Sequence, residues 1–242
     1  IRAAGVDVVD IGCGDGALLA LVREQCPDLG ARVRWTGIDV RPFEVDGVES
    51  LVAEAPGALP LGELMSAIRR IVRTLAVPLT VDIEDGYSDS PEEVAELAAE
   101  VLRCGAVGIN IEDGTAPSEI LAEKIQAIRS RTGAAELFIN ARTDVYLRSL
   151  AQEGPEAIAM VKARAKDYAN AGADGLFAPG LVQTADTEQI AAATRLPLNL
   201  MLLPGLPDTE KLGRAGMRRL SAGPAVFLSA YAQLEADTTA FM

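Results

Sequence analysis

From end to end, short β-branched runs alternate in this chain with longer stretches of helical period. That alternation is the pattern of parallel strands joined by crossover helices, and it constrains the fold more than any other feature. Eight runs read as strands: Val6 to Ile11, Val33 to Asp39, Pro78 to Ile83, Val107 to Ile111, Leu137 to Ala141, Gly175 to Ala178, Leu198 to Met201 and Arg219 to Ala222. Helices are expected between them. Leu61 to Leu75 lines up Leu61, Leu64, Met65, Ile68, Ile71 and Val72 on one face. Ser90 to Cys104 opens with Ser90, Pro91, Glu92 and Glu93, the residues a helix N-terminus prefers. Later helices are expected to begin near Ala116, Glu153 and Thr187, with Ala225 to Leu234 as a terminal one. Six parallel strands alone would leave two apolar edges, whereas all eight can close into a (β/α)₈ barrel of the TIM type, the α/β architecture expected here. Pro42 to Pro60, rich in Gly, Pro, Ala and acids, reads as the one linker-like stretch.

Composition narrows the chemistry. With 22 Lys and Arg against 35 Asp and Glu the formal charge is −13, and there is no histidine. No imidazole relay can be built and none can ligate zinc, copper or haem. Proton transfer must use Asp, Glu, Lys, Tyr, Cys or water. So negative a chain repels a phosphate backbone and an anionic leaflet, which excludes nucleic acid and membrane surfaces as expected partners. Cys13, Cys26 and Cys104 cannot all pair and have neither metal-knuckle nor redox spacing, as expected of a protein of the reducing cytoplasm. No apolar run reaches the roughly 20 residues that span a bilayer, and the N-terminus lacks an export pattern. The sequence opens at Ile1 without methionine, which suggests a fragment or a processed chain.

From Pro78 onward the expected strands end in polar residues on their carboxyl side, the face on which parallel α/β proteins build sites. Asp82, Glu84 and Glu112 are spaced so that acids at i and i+2 share one side of a strand while its neighbour supplies a third. Hard oxygen donors without nitrogen or sulfur suit Mg²⁺ or Mn²⁺ that keeps several waters. Arg142, on the next strand, adds a permanent cation whose planar fork can grip a carboxylate or phosphonate. The plainer alternative is that these acids only cap helices and solvate loops.

The phrases Pro78-Leu79-Thr80-Val81-Asp82-Ile83-Glu84-Asp85-Gly86-Tyr87, Gly108-Ile109-Asn110-Ile111-Glu112-Asp113, Phe138-Ile139-Asn140-Ala141-Arg142-Thr143-Asp144, Ala171-Gly172-Ala173-Asp174-Gly175-Leu176-Phe177 and Pro197-Leu198-Asn199 carry a further reading. The stretch from about Ala58 to Ala222 resembles the isocitrate lyase and phosphoenolpyruvate mutase superfamily. That resemblance implies a (β/α)₈ barrel that binds Mg²⁺ and a 2-oxo acid or phosphonate, and that makes or breaks a C–C or P–C bond beside the carbonyl through an enolate. Asp82 and Glu84 fall on the family's D-x-D pair, Glu112 on its metal-site glutamate and Arg142 on its substrate-binding arginine. Tyr87 and Asp85 are the nearby groups for a general base, with Asp85 where relatives often have Thr. Relatives commonly form dimers or tetramers, so a homo-oligomer is expected.

Two departures qualify this. The lyase members carry a Lys-Lys-Cys-Gly-His loop after the fourth strand, where this chain has Gly114-Thr115-Ala116-Pro117-Ser118-Glu119, so a true isocitrate or methylisocitrate lyase is not expected. Cys104, on the preceding helix, reads as a small buried apolar residue. Residues 1 to 55, moreover, do not resemble the family. Val8-Val9-Asp10-Ile11-Gly12-Cys13-Gly14-Asp15-Gly16 and Thr36-Gly37-Ile38-Asp39-Val40 resemble instead the first βαβ unit of class I S-adenosylmethionine methyltransferases. Gly12, Gly14 and Asp39 would be the cofactor-binding residues of such a unit. The expected layout is therefore a methyltransferase-like segment at 1–55 and a barrel portion at 56–242. The βαβ unit has the handedness needed to serve as barrel strands one and two. The alternatives are a hybrid that binds S-adenosylmethionine or a nucleoside without turnover, or a truncated methyltransferase fusion.

Overall fold

The computed structural model describes strands 6–11, 33–39 and 49–52 as backbone, together with residues 60–133, 137–223 and 225–240. The chain divides into two compact units, residues 1–64 and 65–242. In the first, β1 (Val6–Ile11), β2 (Val33–Asp39) and β3 (Glu49–Val52) form a parallel sheet in chain order. The first two strands lie where the β-branched runs put them. β3 corrects the linker expected over 42–60: a four-residue strand shows too few alternations to stand out among glycines, prolines and acids.

The second unit is a run of β/α repeats. β4 (Thr80–Asp82), β5 (Gly108–Glu112), β6 (Phe138–Arg142), β7 (Gly175–Phe177), β8 (Leu198–Met201) and β9 (Met217–Ser221) are all parallel and pair in chain order. The helices are α1 (Leu61–Thr74), α2 (Pro91–Arg103), α3 (Ser118–Thr132), α4 (Pro155–Ala171), α5 (Thr184–Ala193), α6 (Thr209–Arg214) and α7 (Ala225–Ala240). From α2 to α6, each packs on the next. The sheet curls as barrel strands do: Arg219 of β9 reaches across to donate to the Thr80 hydroxyl of β4 at 3.3 Å.

Sequence accounts for most boundaries. Ser90 accepts from the Glu93 amide at 3.3 Å and Pro91 takes the first helical position, so α2 starts where its signals say. The six residues of α6, capped by Asp208 on the Lys211 amide at 2.8 Å, are too few for a period to register, and sequence reading missed this helix. Ile109, Ile111, Ile139, Leu176, Leu198 and Leu200 are fully buried and form the layer between sheet and helices. Cys104 sits in that apolar layer with its thiol 3.5 Å from the Met65 sulfur, as its small size leads one to expect. Among the described residues no helix is long and apolar enough to cross a membrane.

Candidate active site at the strand tips

The tip of β4 is folded back on itself. The Asp82 carboxylate accepts from the Glu84 amide at 2.9 Å, the Asp85 carboxylate from the Tyr87 amide at 3.0 Å, and the Ile83 carbonyl from the Gly86 amide at 2.8 Å. These bonds hold Glu84 and Tyr87 at φ of 51° and 58°, left-handed values that non-glycine residues seldom adopt and that cluster at functional sites. Gly86, at φ 97°, lies so close to α2 that a Cβ there would stand 2.6 Å from a Val94 methyl. The turn is locked to the next strand as well, the Glu112 amide donating to the Glu84 carbonyl at 2.8 Å.

Asp82, Asn110 and Asn140 are register partners on β4, β5 and β6, and their side chains form one row. Asn140 donates to Asn110 at 2.8 Å and Asn110 donates to Asp82 at 3.3 Å. The row runs from buried Asn140 to the exposed carboxylate of Asp82.

One residue row further toward the tips the charges gather. Arg142 contacts Glu112 at 2.6 Å and holds Asp144 through two bonds, at 2.7 and 3.1 Å. Asp144 is fully buried and also accepts from Arg148 at 2.8 Å, while Arg148 stands 3.7 Å from the other Glu112 oxygen. Beneath them Asp113 accepts from the Asp144 amide at 2.9 Å and from Arg164 and Tyr168 of α4. A carboxylate with three donors around it is a satisfied buried charge that ties α4 to the tips of β5 and β6. Lys124 of α3, also buried, donates to the Asp85 carbonyl at 2.9 Å and holds the β4 turn from behind.

These surroundings set the protonation states. Burial pushes the Glu112 carboxyl up to about 7, with Asp144 and Asp82 adding to the rise and Arg142 and Arg148 pulling part of it back. Burial, then the charges of Glu84, Asp82, Asp85 and Glu112, raise the Tyr87 phenol far above its ordinary range. Tyr87 is thereby held protonated, suited to donating a hydrogen bond and unsuited to acting as a base.

Of the four residues singled out in this unit, Glu112 and Arg142 are in direct contact, Asp82 acts electrostatically on both, and Glu84 sits in the turn that Asp82 caps. Gly12 and Gly14 lie outside the described residues, and Asp39 is described only as the last residue of β2. Asp113, Asp144, Arg148 and the Asn110–Asn140 pair were not assigned roles by sequence reasoning. Two signals could have found them: asparagine at the same place in two neighbouring apolar strands, and an Asp-to-Arg spacing of four at 144 and 148.

Among the described residues no three Asp, Glu or Cys side chains gather closely enough to ligate one ion directly. Mg²⁺ asks less than that, since it is held by one or two carboxylates and keeps several waters. Asp82 presents an exposed carboxylate at the tip, Glu112 is half committed to Arg142, and every donor is a hard oxygen. This donor set fits a hydrated divalent ion and offers nothing to a soft one.

The chain is similar in sequence and in structure to several known proteins. A family profile described as phosphoenolpyruvate phosphomutase matches residues 50–242. The chain is 35% identical over 193 residues to an uncharacterized protein of Mycobacterium tuberculosis, covering 75% of this chain and 70% of that one. It is 29% identical over 209 residues to the oxaloacetate decarboxylase of Pseudomonas entomophila, covering 84% and 70%. In three dimensions it is similar to a Burkholderia cenocepacia protein provisionally called a phosphonomutase, with a TM-score of 0.70 and 32% identity over 98% of this chain and 96% of the other. The profile match begins after β2, so the methyltransferase-like phrases lie outside it.

Proposed function

The chain belongs to the phosphoenolpyruvate phosphomutase family, and we propose that it is a Mg²⁺-dependent enzyme that makes or breaks a C–C or P–C bond beside the carbonyl of a 2-oxo acid. Oxaloacetate is the substrate we propose first, a choice supported by the similarity to the Pseudomonas entomophila decarboxylase. The observation that carries the reading is the Glu112–Arg142–Asp144 clamp beside Asp82, at the carboxyl ends of adjacent parallel strands.

Asp82 would hold the ion, with Glu84 and Glu112 reaching it through water. When bound, Mg²⁺ supplies positive charge to the oxygen on which an enolate develops. The residues of the chain do the rest. Arg142 has five N–H donors, of which two are bonded to Asp144 while Nη1 ion-pairs with Glu112, so its remaining N–H groups can take the carboxylate next to the carbonyl. Asp144 and Asp113 fix the guanidinium so that binding costs little ordering. In oxaloacetate the bond to the distal carboxylate breaks, CO₂ leaves, and the electron pair stays as the enolate until a proton reaches carbon. Tyr87, kept protonated, supplies a hydrogen bond at the same rim.

Purified protein should form pyruvate from oxaloacetate faster than Mg²⁺ alone does, and lose that excess on chelation. Asp82→Ala should lower turnover by about 10²- to 10³-fold, the scale of losing one preorganised electrostatic group, and should weaken Mg²⁺ binding measured by calorimetry. Unchanged turnover and Mg²⁺ affinity in Asp82→Ala would refute the assignment.

A further inference from the structure

Two arginines stand at the β6 tip, and they differ in what they have left to give. The Arg142 side chain is 18% exposed, bonds Asp144 twice and ion-pairs with Glu112 at 2.6 Å, whereas that of Arg148 is 48% exposed and makes one hydrogen bond, from Nε to Asp144. Its Glu112 neighbour, at 3.7 Å, is an ion pair beyond hydrogen-bond reach. Four of its five N–H groups, including both terminal nitrogens of the fork, therefore have no hydrogen-bond acceptor among the described residues. The fork is nonetheless aimed. Its Nε is fixed to a fully buried carboxylate, and its own amide donates to the Asp144 carbonyl at 2.8 Å, so the 144–148 turn and the side chain are anchored on one residue. Asp144 and Glu112 stand against Arg142 and Arg148 as two against two, so these four side chains leave no excess negative charge to repel an incoming anion.

We infer that Arg148 grips the second anionic group of the substrate, the carboxylate or phosphonate remote from the one beside the carbonyl, and so selects dianionic 2-oxo acids over pyruvate-like monoanions. An oriented, half-exposed guanidinium with both terminal nitrogens available is what bidentate recognition of such a group needs. Asp144 serves both arginines as their common anchor, which sets the spacing between the two anion positions. The inference rests on the enolate-forming reading above.

Calorimetry of the Mg²⁺-loaded protein with two unreactive probes tests it. Oxalate lacks a distal group, and malate carries one. Arg148→Gln should weaken malate binding by at least about tenfold while leaving oxalate binding as in the wild type, and Arg148→Lys, which keeps the charge and loses the fork, should fall between. In kinetics the KM for oxaloacetate should rise with kcat little changed, the mark of lost ground-state binding. Malate affinity that survives Arg148→Gln overturns the inference, as does an equal loss for oxalate and malate, which would mark Arg148 as scaffold. A wild-type protein that binds oxalate and rejects malate also overturns it while sparing the Mg²⁺ site. One that binds neither overturns the reading beneath it as well.

Discussion

The two ends of the six-stranded sheet use arginine in opposite ways. At the amino ends, Arg129 donates to the Gly172 carbonyl through two nitrogens, to the Gly133 and Leu137 carbonyls, and to Asp174, which in turn accepts from the Ile139 amide at 2.8 Å. Neutral backbone oxygens absorb most of its donors, and the result is a rivet between α3 and the starts of β6 and β7. At the carboxyl ends, Arg142, Arg148 and Arg164 face Glu112, Asp113 and Asp144. There the partners are charged, they are shared, and one of them titrates near neutrality. An arginine spent on carbonyls can only hold, whereas arginines held by carboxylates can exchange partners when a charged ligand arrives. This division agrees with barrels that keep stability on one face and chemistry on the other.

The sharpest way to break this contrast is Asp113→Ala. It strips the partner from buried Arg164 and from the Tyr168 hydroxyl and orphans the Asp144 amide, so stability should drop by about 3–5 kcal/mol. Turnover should fall with it, because Asp144 would no longer be fixed under the two arginines. Urea unfolding alongside the pyruvate assay measures both, and near-wild-type stability would show that the network does not bear on the fold.

Asp174→Asn is the matching change at the other end. It should cost about 1–3 kcal/mol, the range for weakening a partly buried hydrogen-bonded group, and leave turnover per folded molecule as it was. A parallel fall in turnover would erase the distinction between the two faces.

The smallest effect is a pH limb. The Glu112 carboxyl, ordinarily near 4.5, is raised to about 7 in the fold. Its protonated form therefore contributes stability that is fully present below its unfolded value and is lost as pH rises through about 7. Denaturation of the metal-free protein across that interval should show the decline, and Glu112→Gln should flatten it. An identical slope in the variant would place the titration elsewhere.

Much of this was legible beforehand because strands and crossover helices leave opposite periodic marks. Ile109 and Ile111 alternate with Asn110, and Ser90-Pro91-Glu92-Glu93 announces α2. Glu112 and Arg142 could be placed together because parallel strands in chain order bring equivalent tips into register. What stayed hidden depends on partners distant in sequence. Asp113 looks like one more loop acid until Arg164 and Tyr168, one turn apart in the second half of α4, are seen to converge on it. Arg148 reads as a surface charge until Asp144 is known to be buried beneath it. Glu84 carries no sign in its own identity of a left-handed backbone, which the Asp82 carboxylate and the ladder to β5 impose.

The asparagine row has a sense of direction. Asn140 gives to Asn110, which gives to Asp82, so each carboxamide turns its oxygen inward and its nitrogen toward the lip of the sheet. An aspartate at position 140 would have no proton to pass on. Asn110 would then rotate to serve it and present an oxygen to the Asp82 carboxylate, replacing attraction by repulsion. Through two amide groups, the polarity felt at an exposed acid on one strand is thus dictated by a buried letter two strands away.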